Sequence, residues 1–141
     1  MKIKTLLWCL VLCVFVLIIL GRRQSLNRLP EPNHTKELAV ITGWEAEVTT
    51  PVGTRCDLVS DTHTIEVEWA SKAYEAIGQS LHYSLELAKE PGILFLVESD
   101  KDIEFASVRA NKVCRLYKID VWWYNVKTKV LHSPEEAPFG E

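Results

Sequence analysis

The stretch TRCDLVSDTHTIEVEWASKAYEAIGQSLHYSL, residues 54–85, decides the fold. Thr64–Trp69 alternates, with Ile65, Val67 and Trp69 on one side and Glu66 and Glu68 on the other, the period of a β-strand. Before it, Thr54–Ser60 is a second strand, joined to the first by the tight connection Asp61-Thr62-His63. After it the period changes: Tyr74, Ile77, Leu81, Leu85 and Ala88 recur at threes and fours, so Tyr74–Lys89 is expected as a helix buried along that stripe. Upstream, Glu45–Thr50 pairs with Thr54–Ser60 as a hairpin around Pro51-Val52-Gly53. Further upstream, Lys36–Gly43 forms a short helix closed by its glycine.

Downstream, Pro91-Gly92 is expected to stop the helix, and the wholly apolar Ile93–Val97 suits a strand covered on both faces. Asp102–Tyr117 reads as a helix with Ile103, Ala106, Ala110, Val113 and Tyr117 turned inward, and Ile119–Tyr124 as a last strand. The order is helix, three strands, helix, strand, helix, strand. It predicts an α/β domain over residues 36–132, a mixed central sheet flanked by helices, with Ile93–Tyr124 as a parallel crossover unit.

Composition agrees with one domain. The chain has 141 residues, 48% hydrophobic and 25% charged, with 6 Gly and 6 Pro, which excludes disordered and collagenous classes. Its charge is uneven: residues 1–30 carry five basic side chains and no acid, whereas residues 31–141 carry 11 Lys and Arg against 19 Asp and Glu, a net of −8. So acidic a body excludes broad non-specific binding to a phosphate backbone; a nucleic-acid role has to work through a local site.

The basic N-terminus flanks Leu6–Leu20, fifteen residues without a charge. As a helix this run spans about 22 Å, short of the ~30 Å bilayer core unless its neighbours and snorkelling Lys and Arg help. Residues 1–22 therefore read as a signal-anchor or a signal peptide. The protein is expected to be membrane-anchored, or exported if the segment is cleaved, with the side of the membrane left open. Residues 23–35, containing Pro30 and Pro32, read as a linker, and residues 133–141 as an acidic tail. Cys56 and Cys114 are the only cysteines of the body, and are either two buried thiols or, in an exported protein, one disulfide.

Three carboxylates carry the chemistry. Asp57 precedes the turn that Glu66 and Glu68 follow, so the hairpin brings the three together, with Glu47 on the first strand as a further neighbour. Like charges on one sheet face are costly unless a cation offsets them, and an all-oxygen donor set suits Mg²⁺ or Mn²⁺. The same alternation also fits a solvated outer face that binds nothing. Arg55, two residues from Asp57 on the same strand face, pairs with it or touches a phosphate. Among the remaining polar groups, His63 serves the turn and His82 acts as a structural hydrogen-bonder. Trp122 and Trp123 read as core, or as a stacking platform for bases.

Glu45–Val97 resembles the PD-(D/E)XK nuclease superfamily, whose restriction-endonuclease-like core has the same order of helix, three strands, helix and strand. Thr54-Arg-Cys-Asp57 followed by Ile65-Glu66-Val67-Glu68 is similar to that motif's Asp, spacer and Glu-x-Lys, and Gln79 with Tyr83 to the Q-x-x-x-Y element of RecB-type members. The resemblance implies a metal-dependent nuclease hydrolysing phosphodiester bonds in nucleic acid. Asp57, Glu66 and the Val67 carbonyl would hold the cation, with Glu47 as the extra acid, while Gln79 and Tyr83 would line the substrate cleft. Glu68 stands where the family has lysine. It implies either a carboxylate that acts as base or second-metal ligand, or a migrated lysine, Lys72, reaching back. The competing expectation is a catalytically inactive nuclease fold serving as a binding or interaction module at the membrane.

Overall fold

A computed structural model describes residues 31–136 of the chain. Helix α1, Glu31–Thr42, begins five residues before Lys36, so Glu31–Thr35 belong to a helix rather than to a linker. Pro32 falls in its first turn, where a missing N–H costs no intrahelical bond. Gly43, at φ +74°, closes α1 with its N–H on the Ala39 carbonyl. The hairpin follows as β1, Glu45–Thr49, and β2, Arg55–Val59, with Gly53 at φ +84° in the turn. Then come β3, His63–Trp69; a 3₁₀ turn at Ala70–Lys72; α2, Ala73–Leu87; and β4, Glu90–Val97. Helix α3, Asp100–Tyr117, leads to β5, Asp120–Asn125, and the short β6, Val130–His132.

The fold is α/β: a six-stranded mixed sheet in the order β1-β2-β3-β4-β5-β6, flanked by helices. The pairs β3–β4 and β4–β5 are parallel and the other three antiparallel. On one face Leu38 of α1 packs with Leu58, Ile65, Val67, Leu94, Leu96, Trp122 and Tyr124. On the other, α2 and α3 cover Ile93, Phe95, Val97 and Trp123. Trp122 and Trp123 thus lie in opposite cores and neither offers a stacking platform.

Several local expectations need correcting. Of the expected stripe Ile77 is buried and Leu81 packs partly against the core, but Tyr74 and Leu85 are exposed, and α2 also buries Ala73, Ala76, Ser80 and Tyr83. Small residues at its contact let the helix lie close to the sheet, which rotates the larger apolar groups outward. Tyr117 is likewise exposed, with Cys114 buried one turn earlier. Helix α2 ends before Pro91-Gly92, at Ala88 in the left-handed region, and Pro91-Gly92 lie within β4, just after its first residue Glu90. Helix α3 starts two residues early because Asp102 accepts the backbone N–H groups of Glu98 and Ser99 and the Ser99 hydroxyl, a capping box. The tail contains a 3₁₀ turn at Pro134–Glu136.

Gly92 is required by packing. A Cβ there would lie 2.8 Å from Trp122 Cζ3, 3.0 Å from Ile65 Cγ1 and 3.2 Å from the Thr64 carbonyl oxygen. Gly92→Ala is therefore expected to cost about 1–3 kcal/mol, as overpacking does. Chemical denaturation checks this, and an unchanged midpoint would contradict it.

Cys56 and Cys114 are free and buried, with burial pushing their thiols up to about 12 and about 11. Among the described residues no helix is long and apolar enough to cross a membrane. The apolar run Leu6–Leu20 lies outside them.

Candidate functional site

The ladder between β2 and β3 is short, pairing Leu58 with Ile65 and Val59 with Thr64. One step further that register sets Asp57 opposite Glu66. On the other side of β2, Ala46 pairs with Leu58 and Val48 with Cys56, which sets Glu47 opposite Asp57. Three carboxylates therefore stand in a row across β1, β2 and β3, where like charges repel. The backbone is disturbed at the same place. Asp57 Oδ2, not a strand carbonyl, accepts the Val67 N–H at 2.9 Å. Glu47 is held at φ +61°, a strained region for a residue with a Cβ.

Glu66 and Glu68 are 4% and 2% exposed, so their side of β3 is not a solvated face. They are covered because the cores put Ile65 and Val67 under α1, and α2 runs over the opposite face. Glu66 Oε2 has no hydrogen-bond partner among the described residues. Burial first, then the charges of Asp57, Glu31 and Glu68, push its carboxyl up to about 9. Burial likewise lifts Asp57 to about 6, with the Glu47 charge adding to the rise and the Val67 N–H and Arg55 opposing it.

Glu68 is compensated where Glu66 is not. Its Oε1 accepts the Trp69 N–H at 2.8 Å, and its Oε2 receives Lys72 Nζ at 2.9 Å. The hydrogen bond to Glu68, ahead of the neighbouring negative charges, holds the Lys72 ammonium above its ordinary range. Lys72 remains half exposed, with its charge at the mouth of the cluster. Glu75 approaches the same ammonium at 3.9 Å.

Glu31, the first residue of α1, is a member that the sequence reading assigned to the linker. Burial first, then a hydrogen bond with Glu68 and the charges of Glu68 and Asp57, raise its carboxyl to about 8. Tyr83 of α2 is buried within the field of Glu66 and Asp57, and its phenol is pushed up to about 12, chiefly by burial. Gln79, one turn earlier, buries an Oε1 without a hydrogen-bond partner. His82 hydrogen-bonds Thr54 Oγ1 at 2.9 Å and ties α2 to the hairpin turn. Arg55 does not pair with Asp57: its guanidinium forms an ion pair with Glu47, on the neighbouring strand.

No family model, curated protein or solved structure matches this chain.

A second constellation lies at the opposite end of β3. His63, Glu90 and Asp120 are a group that could hold a metal ion, since their ligand atoms all lie within 4.8 Å of one another. Among the described residues no trio drawn from Glu47, Asp57, Glu66 and Glu68 meets that spacing. The carboxylate row is thus coupled through the field of its charges, looser than a closed ligand set. His63 does more than serve the turn. It opens β3, and its Nε2 lies 2.9 Å from Asp120 Oδ2 and 3.3 Å from Glu90 Oε2.

Proposed function

We propose that the domain is a divergent PD-(D/E)XK-type nuclease with a restriction-endonuclease-like core, hydrolysing phosphodiester bonds in nucleic acid with Mg²⁺ or Mn²⁺. The observation that carries this reading is Lys72 on Glu68, beside the buried carboxyl of Glu66 and the half-buried one of Asp57, both held above their ordinary range. A cluster of acids that resists ionisation is poised to accept a cation, because the cation returns the energy that burial withheld. The orphaned Glu66 Oε2 fits that group.

Asp57 and Glu66 would hold the ion, with the Val67 carbonyl and Glu47 as the further oxygens. When bound, the ion supplies a Lewis acid that lowers the pKa of water and neutralises charge on the phosphate. The protein's own part is positional. Asp57 is fixed by the Val67 N–H, and Glu68 aims Lys72 toward the mouth, where an ammonium would stabilise charge building on a phosphate oxygen. Lys72 in this way takes the place of the motif lysine that Glu68 displaced. Tyr83 and Gln79 would line the α2 side of a substrate cleft.

A second reading, an inactive nuclease fold acting as an interaction module, is favoured by one observation: no three acids of the row reach the 4.8 Å spacing. In both readings residues 1–22 would hold the domain at a membrane or direct its export. The test is cleavage of labelled single- and double-stranded DNA and RNA by the full-length chain. Hydrolysis with Mg²⁺ or Mn²⁺, abolished by EDTA, supports the nuclease. No cleavage of any of the four substrates with either ion, by a folded chain, supports the module.

A further inference from the structure

We infer that His63, Glu90 and Asp120 form a binding site for a first-row divalent cation of the Zn²⁺ type, separate from the carboxylate row and independent of the nuclease reading. The parallel sheet builds it. His63 pairs with Glu90 at the start of β3 and β4, and Asp120 opens β5 opposite Gly92. Three neighbouring strands thus deliver one donor each from their first residues, on a rigid frame rather than a loop.

The donor chemistry favours a cation. Both carboxylates face the same imidazole nitrogen, at 2.9 and 3.3 Å, and one nitrogen carries at most one proton. Even a charged imidazolium leaves the trio net negative. Lys89, next in sequence to Glu90, turns its Nζ to the Ser60 and Asp61 carbonyls, at 2.9 and 2.7 Å. A tetrahedral Zn²⁺ with bonds of about 2.0–2.2 Å needs donors about 3.3–3.5 Å apart, which these distances already approach. One imidazole with two carboxylates is a borderline set, softer than the all-oxygen sites that Mg²⁺ prefers.

The ring is oriented for the task. Thr62 Oγ1 lies 2.8 Å from Nδ1, so a proton donated from Nδ1 to Thr62 leaves the Nε2 lone pair facing the carboxylates. Trp122 stands edge-on to the imidazole, with centroids 5.2 Å apart and planes at 84°. Gly92 gives that indole its room. A cavity of about 810 Å³ opens alongside, with His63, Trp122 and Trp44 in its wall, giving solvent access to the histidine. Three protein ligands leave a fourth position for water or an exogenous group.

The test is titration of ZnCl₂ into chelator-stripped full-length protein, followed by calorimetry and tryptophan fluorescence. A saturable event that survives in Asp57→Asn is expected. His63→Gln and Asp120→Asn should weaken it by about 100-fold or more, and Thr62→Val by about tenfold, as loss of an orienting partner does. Asp57→Asn should leave it unchanged, which separates this site from the carboxylate row. Each variant is first shown to be folded by circular dichroism; Asp120→Asn, with its half-exposed side chain, provides a second variant should His63→Gln not fold. Absence of saturable binding to the folded wild type, or equal binding by a folded His63→Gln or Asp120→Asn, would overturn the inference. Loss with Asp57→Asn alone would also overturn it, by moving the ion to the other site.

Discussion

Asp57→Asn should lose at least about 10³-fold of any metal-dependent nuclease activity, roughly 4 kcal/mol of transition-state stabilisation, while the domain stays folded. The separation of activity from stability follows from what Asp57 does. Its Oδ2 accepts the Val67 N–H at 2.9 Å, a bond that an asparagine oxygen also accepts, so the junction of β2 and β3 survives. The negative charge is lost, and with it the ligand. Lys72→Ala should lower activity without changing metal affinity, because its ammonium contacts Glu68 and Glu75 rather than Asp57 or Glu66. Cleavage rates beside denaturation midpoints check both variants. Full activity in Asp57→Asn would sink the assignment of this site.

Glu66→Gln should stabilise the metal-free protein, and increasingly so as pH rises. The Glu66 carboxyl stands at about 9 in the folded chain, against an ordinary value of 4.5. The folded state therefore holds that proton more tightly than the unfolded state. The associated stability is fully present below about pH 4.5 and lost as pH rises through about 9. A neutral amide of the same shape escapes this loss. The gain at pH 9 is expected at about 1–4 kcal/mol, the range for relieving an uncompensated buried charge, or about 4 °C in Tm per kcal/mol. At pH 4, below both values, the two proteins should melt together. Saturating Mg²⁺ should reverse the order, since binding to the native state at 100 times Kd adds about 2.7 kcal/mol to the wild type alone. A variant that is less stable at pH 9 without metal would show that Glu66 is paired rather than strained.

Much of the fold was legible because periodicity is local. The alternation of Thr64–Trp69, the glycine closing α1 and the apolar run of β4 each report their own backbone and burial. What the sequence concealed depended on depth and register. Alternating Glu66 and Glu68 are consistent with a solvated face or a covered one, and only the seating of α2 on small residues decides between them. Glu31 was hidden because Pro30 and Pro32 on either side of it read as linker, whereas the helix begins at Glu31 itself. Tyr74 and Leu85 lie on the expected stripe yet point outward, because that stripe is not the close-packed one.

The His63, Glu90 and Asp120 group left no motif at all. Its members are 27 and 30 residues apart, and only parallel pairing aligns the starts of their strands. The row of Glu47, Asp57 and Glu66 was recoverable because antiparallel pairing around tight turns converts sequence distance into register. Arg55 shows the limit of that reasoning: the strand face placed it near Asp57, but its long side chain reached across to Glu47.

Whether the carboxylate row holds a divalent cation is decided by calorimetric titration of Mg²⁺ into the full-length protein, with Asp57→Asn and His63→Gln in parallel. Saturable Mg²⁺ binding is expected in the wild type and in His63→Gln, with its loss in Asp57→Asn. Mg²⁺ binding that persists in Asp57→Asn, or that is absent from the folded wild type, would show that the row holds no such ion.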